Sequence, residues 1–576
     1  MSINISKQHR EDLLDKIQQI RNYIASAPQD QNTGNLLLYL NELTKDIKGK
    51  KYGLVFEEHK EAIDEILENN VPVLKEEKNL FIDNGGQMNF LIEGDNLASL
   101  QLLEKTHKGK IDVIYIDPPY NTGMKSSDGG FMYDDKFVEP EDTFKHSKWM
   151  SFMESRLSLS KNLLRKDGLI FISIDDREQA PLKMLCDSIF GDKNCLGVIH
   201  WRKNRKPHMA GNTIAISCEY ILVYFRDKSR KLIQEYAKMK TDDEGSYAIY
   251  PILKADKRIR RYTFPKGIYC EGVFDEGRTT TAKNDKCNVN IIGKPIIFNN
   301  ILQNEIEVEG RFCLTDERGK LSEALKAGNI YFTKGGIPKE KRYREEYIGK
   351  IANNYWDIEG GRNEDANDEL VSVFNISPDN DLFSYPKPIE LIKKILICTN
   401  NKNSTILDFF AGSGTTGHAV LKLNAEDGGK RRFILCTNNE NNICRDVTYE
   451  RLKTVITGKR KDGSEYNEQY NASLKYYKID FVPINEQVYY EYADELLLHI
   501  RELVELENGI NFNGNSEIAI VLTDEEMEKF VEENYTAKIL YRGHDVLLSA
   551  EQEQFLQSHG IRVNVIPDYY YKELNR

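Results

Sequence analysis

The stretch that most limits how this chain can fold is "IDVIYIDPPY", residues 111–120. Its apolar run is nearly continuous, as expected of a strand in a parallel sheet covered on both faces. Pro118 and Pro119 have no backbone N–H, so the ladder cannot run past Asp117. Parallel strands require crossover connections, usually helices. The neighbouring sequence supplies them. "MNFLIEGDN" reads as a strand ending in Gly-Asp, and "LASLQLLEKT" as a helix. "HSKWMSFMESRLSLSKNLLRKDG" reads as a long amphipathic helix stopped by Gly168, and "LIFISID" and "YILVYF" as further buried strands.

Outside this α/β block the texture changes. Residues 1 to about 75 show apolar spacing of three to four, as in "REDLLDKIQQIRNYI" and "HKEAIDEILEN", and predict helices. From about 226 to 380 the chain is polar, basic and turn-rich. "YPKPIELIKKILI" then predicts a helix, "STILDFFAGSGTTGHAVLKL" strand, glycine turn and helix, and "RRFILCTN" another strand. After about 460 a small α/β module is expected. Its helices begin at the capping boxes "TDEE" (Thr523) and "SAEQ" (Ser549).

At 576 residues the chain has room for three or four domains, and 40% hydrophobic with 30% charged residues is globular composition. No apolar run approaches the ~20 residues of a membrane span, and "MSINISKQHREDLL" has no secretory signal core. The nine cysteines are scattered with no C-x-x-C pair, which argues for a reducing cytoplasm and against a metal site or disulfide framework. The net charge of −12 is unevenly spread: residues 201–265 hold 15 Lys and Arg against 7 Asp and Glu. A basic stripe on an acidic chain is either a nucleic-acid footprint or a solvated surface.

Two turns carry the chemistry. In "LDFFAGSGTTGH" a buried strand ends at Asp408, and Gly412 and Gly414 let the backbone turn closely before a helix. Open α/β sheets build nucleotide sites this way, although such a turn can be purely structural. It is neither a Walker A loop nor a full G-x-G-x-x-G. In "FILCTNNEN", Glu440 follows the next strand, where it is either a ribose-binding acid or a solvated loop residue.

The other turn is "DPPY". Asp117 stands at a strand end facing the ligand crevice, and the two prolines leave stiffly held carbonyls beside the ring of Tyr120. A site with acceptors, no donors and a flat ring suits the exocyclic amine of a planar base. Asp117 and the Pro118 carbonyl would take the amine N–H groups, and Tyr120 would stack on the base, worth ~1–3 kcal/mol. The bland alternative is a proline turn capped by an aspartate.

The two turns together resemble those of DNA amino-methyltransferases that use S-adenosylmethionine. "DPPY" precedes the F-x-G-x-G signature at Phe410, Gly412 and Gly414, the order of the β class. More closely, "FLIEGDNLASLQLL", "IDVIYIDPPYNTG", "HSKWMSFMESRL", "GLIFISIDD", "EYILVYFRD", "YPKPIELI" and "LDFFAGSGTTGHAVL" resemble, in order, the modification (Mod) subunit of type III restriction–modification systems. The likeness covers roughly residues 50 to 460.

The resemblance implies a Rossmann-like methyltransferase core, α/β and circularly permuted, with a mainly parallel sheet. An α+β target-recognition domain is inserted into it, and N- and C-terminal parts are added. The implied boundaries are 1–80 (N-terminal helices), 81–230 (core, first part), 231–380 (target recognition), 381–465 (core, second part) and 466–576 (C-terminal module). Asp408, Phe410, Gly412, Gly414 and Thr415 would surround the methionine part of S-adenosylmethionine. Glu440 would take its ribose, Asp95 its adenine, and Lys387 would lie near its carboxylate. The polar residues and Cys444 after Glu440 depart from a simple ribose site. Asp117, Pro118, Pro119 and Tyr120 would hold an adenine flipped out of duplex DNA, a rotation of ~180°. Arg202, Lys203, Arg205, Lys206, Arg258, Arg260 and Arg261 would contact DNA, mostly at phosphates. The implied activity is adenine-N6 methylation; the alternatives are cytosine-N4 methylation, RNA or protein methylation, and a DNA-specificity scaffold without catalysis. The implied partners are double-stranded DNA, a second copy of the chain and a separate restriction (helicase–nuclease) subunit, with no metal and no membrane.

Overall fold

A computed structural model describes residues 59–121, 144–204, 216–227, 233–235, 240–242, 245–253, 257–280, 288–315, 320–343, 350–357, 361–377, 385–484, 499–513, 515–533 and 536–566. It also describes 5–26 and a few positions between 33 and 56.

The centre is one ten-stranded sheet. In chain order its strands are β1 (Asn70–Glu76), β2 (Gln87–Glu93), β3 (Ile111–Ile116), β4 (Leu164–Ile174), β5 (Cys195–Arg202), β6 (Cys218–Phe225), β7 (Tyr355–Trp356), β8 (Thr405–Asp408), β9 (Arg432–Thr437) and β10 (Ala472–Pro483). They lie in the order β1-β10-β2-β9-β8-β3-β4-β6-β5-β7. The run from β10 to β4 is parallel. Strand β6 is antiparallel to both β4 and β5.

Alternation along the strands splits the core into two layers of side chains. Ile114, Ile116, Ile170, Ile172 and Ile434 pack with the helices α1 (Asn96–His107) and α2 (Lys145–Leu163). Val113, Tyr115, Phe171, Ile406 and Leu435 pack with α3 (Ile389–Thr399), α4 (Thr415–Asp427) and α5 (Glu450–Thr457). This two-sided cover is why the strands read as continuous apolar runs. The result is the Rossmann-like α/β core expected from the sequence, with β3, which leads into the Asp-Pro-Pro-Tyr turn, preceding the glycine-turn strand β8.

The connections fix where a ligand can bind. From β3 the chain passes through α2 to β4 on one side. From β8 it passes through α4 to β9 on the other. Between β3 and β8 the winding therefore reverses, and the crevice at their carboxyl ends is the topological switch point where open α/β sheets take ligands. Register puts Ile406 beside Val113 and Leu407 beside Ile114, so the two turns leave the sheet side by side.

Three local expectations differ. The helical reading of the first 75 residues ends at Asn69, because residues 70–76 pair antiparallel with β10, Val71 opposite Val482. The long helix stops at Leu163, not Gly168, since Leu164 is buried and enters β4 opposite Ile111. Gly168 instead sits at the register shift, where a Cβ would come 3.0 Å from the Ile111 carbonyl oxygen. Strands β10, past residue 466, and β7, within the expected insert 231–380, both belong to the central sheet, β7 by pairing Trp356 with Trp201.

Residues 240–343 form two further sheets, of seven and four strands, around a separate core that includes Phe264, Val308, Phe312 and Phe332. A short helix, Lys320–Lys326, joins them, which makes this insert α+β. Near the C-terminus three parallel strands (Ile518–Val521, Ile539–Arg542, Arg562–Val565) pack with helices Asp524–Glu532 and Ala550–Ser558. Ser549 closes the predicted capping box with Gln552, whereas Thr523 caps its helix without one, because Glu526 reaches back to the Leu522 amide instead. No helix among the described residues is long and apolar enough to cross a membrane.

Candidate active site

Asp117 leaves β3 at the switch point, followed by buried Pro118 and Pro119. The indole of Trp149, fully buried on α2, donates to the Pro119 carbonyl at 2.7 Å. That contact clamps the turn and takes one of its two proline carbonyls. Tyr120 is 8% exposed and its hydroxyl lies 2.8 Å from Asp117 Oδ1 and 3.3 Å from Glu219 Oε2.

Lys387 closes this cluster. It stands in the segment leading to α3, and its Nζ donates to the Tyr120 hydroxyl at 2.9 Å. The same ammonium lies 3.1 Å from Asp117 Oδ1 and 3.2 Å from Glu219 Oε2. Lys203 pairs with the other oxygen of Glu219 at 2.9 Å. Two carboxylates and one ammonium group thus meet around one phenol, with a second ammonium on the far oxygen of Glu219. Burial raises the Asp117 pKa; Lys387 offsets this and the Glu219 charge reinforces it. For Glu219, burial is outweighed by Lys387 and Lys203, which hold its pKa below the usual range. Burial opposes the Lys387 charge, but Asp117 and Glu219 outweigh it and raise its pKa.

The glycine turn lies alongside. Gly412 and Gly414 have φ of +49° and +75°, a region side chains rarely enter. Asp408 is 2% exposed and holds the turn from inside. Its Oδ1 accepts from the Phe410 amide at 3.0 Å and its Oδ2 from the Thr416 hydroxyl at 2.5 Å. Burial pushes the Asp408 carboxyl up to about 7; these two hydrogen bonds oppose the rise and the charge of Asp117 adds to it. Fully buried Arg451 donates to the Thr415 hydroxyl at 2.9 Å, and the Thr448 hydroxyl to the Gly412 carbonyl at 2.5 Å. Phe410 packs between Phe409 and Phe152.

Asp95 caps α1, accepting from the Leu97 amide at 2.7 Å. Asn96 donates to the Phe409 carbonyl at 3.1 Å and accepts from Arg156 at 2.5 Å, tying α1 to the glycine turn. Glu440 opens a short turn after β9, partly exposed and followed by Asn441 and Asn442 in left-handed conformations. Cys444, which marks the sequence's departure here, is buried and accepts from the Tyr476 hydroxyl.

The structure therefore brings Asp117, Pro118, Pro119, Tyr120 and Lys387 together, beside Asp408, Phe410, Gly412, Gly414 and Thr415. Asp95 and Glu440 follow β2 and β9, further along the same row of strand ends. Several of the basic residues already face carboxylates. Lys203 faces the catalytic cluster through Glu219, Arg202 pairs with Asp357 at 3.4 Å, and Arg261 pairs with Glu309 at 3.1 Å and Glu307 at 3.6 Å. Arg258 is exposed and Arg260 half-buried. Arg205 and Lys206 lie outside the described residues. Sequence reasoning passed over Glu219 and Trp149. The one available signal was an acid at the head of the apolar strand "EYILVYF".

A carboxylate–Pro–Pro–aromatic turn and a glycine turn stand side by side at the switch point of an open α/β sheet, the place where such folds take ligands. The DNA methylase family model matches residues 111–449, and the chain belongs to that family. The StyLTI Mod subunit of a type III restriction-modification enzyme of Salmonella typhimurium is 32% identical over 407 residues, 66% of this chain and 57% of that one. The type II methyltransferase M.KpnI of Klebsiella pneumoniae is 30% identical over 403 residues, 68% of this chain and 90% of that one. The EcoPI Mod subunit of Escherichia phage P1 is 30% identical over 394 residues, 62% and 58% of the two chains. The match thus spans a little over half the length of each Mod subunit.

Proposed function

We propose that the chain methylates the N6 amine of an adenine turned out of duplex DNA, using S-adenosylmethionine, as the modification subunit of a type III restriction–modification system. The observation that carries this reading is the adjacency of the Asp117–Tyr120 turn and the Gly412–Gly414 turn at the switch point between β3 and β8.

The donor set fits the cofactor. The first amides of α4 lack intrahelical partners and suit its carboxylate. Glycine at the turn's two positive-φ positions, Gly412 and Gly414, leaves the backbone there bare of side chains. Asp95 and Glu440, past the ends of β2 and β9, offer acceptors for adenine and ribose. Bound there, S-adenosylmethionine would supply a methyl group on a sulfonium, a leaving group strong enough that no covalent enzyme intermediate is required.

The chain's own part is orientation. Asp117 and the Pro118 carbonyl accept the two amine N–H bonds and direct the nitrogen lone pair. With the Pro119 carbonyl held by Trp149, the Pro118 carbonyl is the one that serves. Tyr120 has its ring fixed through its hydroxyl and supplies the stacking face. Holding amine and methyl donor in line is a large share of such catalysis. Asp117, whose pKa is already raised, can receive the proton the methylated amine sheds.

The insert of residues 240–343 is read as the target-recognition domain, since sequence readout needs a surface separate from the catalytic crevice. The partners proposed are duplex DNA, a second copy of the chain and a restriction subunit, in the cytoplasm. The test is methyl transfer to unmethylated duplex DNA, RNA and protein in parallel. Label confined to adenine in duplex DNA supports the reading. Label in cytosine, RNA or protein moves the assignment to that substrate.

A further inference from the structure

The cluster around Asp117 poses a problem for the proposed reaction. Asp117 Oδ1 takes the Tyr120 hydroxyl at 2.8 Å and Lys387 Nζ at 3.1 Å, which leaves Oδ2 to accept the amine; once the carboxylate receives the proton shed by the methylated amine, it no longer carries the charge that balances Lys387. Both donors are buried, so each needs an acceptor that stays in place while Asp117 turns to the amine and is neutralised by its proton. A buried ammonium without a counter-charge is far costlier than a buried hydroxyl.

Glu219 resolves this. Its Oε2 lies 3.2 Å from Lys387 Nζ and 3.3 Å from the Tyr120 hydroxyl, the same two donors that occupy Asp117. Its Oε1 is fixed by Lys203 at 2.9 Å. Glu219 is 5% exposed and starts a central strand paired on both sides, so it cannot follow the substrate. Both donors can pass from Asp117 to Glu219 through movements well below a bond length. We infer that Glu219 is a positioning residue: the alternate acceptor that takes Lys387 and Tyr120 when Asp117 is given over to the target amine.

This inference rests on the methyltransferase reading and assigns Glu219 no contact with substrate or cofactor. It requires the charge of Glu219 rather than its volume. Glu219→Gln keeps shape and one acceptor oxygen but cannot balance two ammonium groups. Glu219→Asp keeps the charge and loses one methylene of reach.

The experiment measures kcat on unmethylated duplex DNA for wild type and both variants, and cofactor affinity by calorimetry. The Gln variant should lose about tenfold or more in kcat, the signature of an interaction needed during turnover rather than binding. The Asp variant should stay within about threefold of wild type, and cofactor affinity should stay within about twofold in both. A Gln variant as active as the Asp variant or more so overturns the inference, as does a loss confined to cofactor affinity. If the Gln variant does not fold, the Asp variant decides: a loss beyond about tenfold overturns the inference. A wild-type chain that methylates no DNA instead overturns the methyltransferase reading.

Discussion

Trp149 donates its indole N–H to the carbonyl of Pro119 at 2.7 Å, from a helix on one face of the sheet to the turn at its edge. On the proposed function, this bond makes the Pro118 carbonyl the freer of the two acceptors. Trp149→Phe keeps the ring packing and orphans the Pro119 oxygen, at a cost of about 1–3 kcal/mol in stability. The loosened turn should lower kcat more than cofactor affinity. Chemical denaturation and single-turnover methylation on the same samples check both parts.

Gly412 stands at φ +49°, in the turn that would receive the methionine part of the cofactor. Gly412→Val puts a β-branched side chain where positive φ is strained by ~1–2 kcal/mol and where a ligand must approach. Cofactor affinity should fall at least tenfold by calorimetry while circular dichroism stays close to wild type. Unchanged affinity would make the turn purely structural.

Asp408 should give the fold a pH dependence. Its carboxyl titrates near 7 in the folded chain, against about 3.9 when unfolded. Between these values the unfolded state has lost the proton that the folded state keeps, so stability falls as pH rises from about 4 to 7 and levels off above. Asp408→Asn removes this component. Urea melts from pH 4 to 8 should show wild type losing ground to the variant by a few kcal/mol across that window. Parallel curves would contradict the buried, largely protonated Asp408.

The basic stripe is narrower than its sequence suggests. Arg261 already faces Glu307 and Glu309, whereas Arg258 is exposed. Arg258→Gln and Arg260→Gln together should weaken cognate and scrambled duplexes alike. If both touch phosphate, the slope of log K against log salt flattens by about 2. Anisotropy titrations at several salt concentrations read this. Loss on the cognate duplex alone would mark them as base-reading instead.

What the sequence revealed was local. Pro118 and Pro119 end β3 by chemistry contained in two residues. The apolar runs reflect helices on both faces, and Thr523 and Ser549 cap helices within four residues of themselves. What it hid depends on distant partners. "VPVLKE" becomes strand β1 only because β10 lies beside it, some 400 positions away in the chain. Glu219 looks like an ordinary acid until Lys203, Lys387 and Tyr120 are drawn around it. Lys203, read as part of a DNA-facing stripe, is turned inward by that same carboxylate.

On the proposed function, Asp117 presents an adenine amine for methylation. The most direct measurement is nucleoside mass spectrometry of unmethylated duplex DNA incubated with methyl-deuterated S-adenosylmethionine and either wild type or Asp117→Ala. Labelled N6-methyladenine is expected with wild type, none above background with the variant, and cofactor affinity much less affected. Labelled N6-methyladenine at comparable rates from both proteins, or no labelled adenine from wild type, would contradict this role of Asp117.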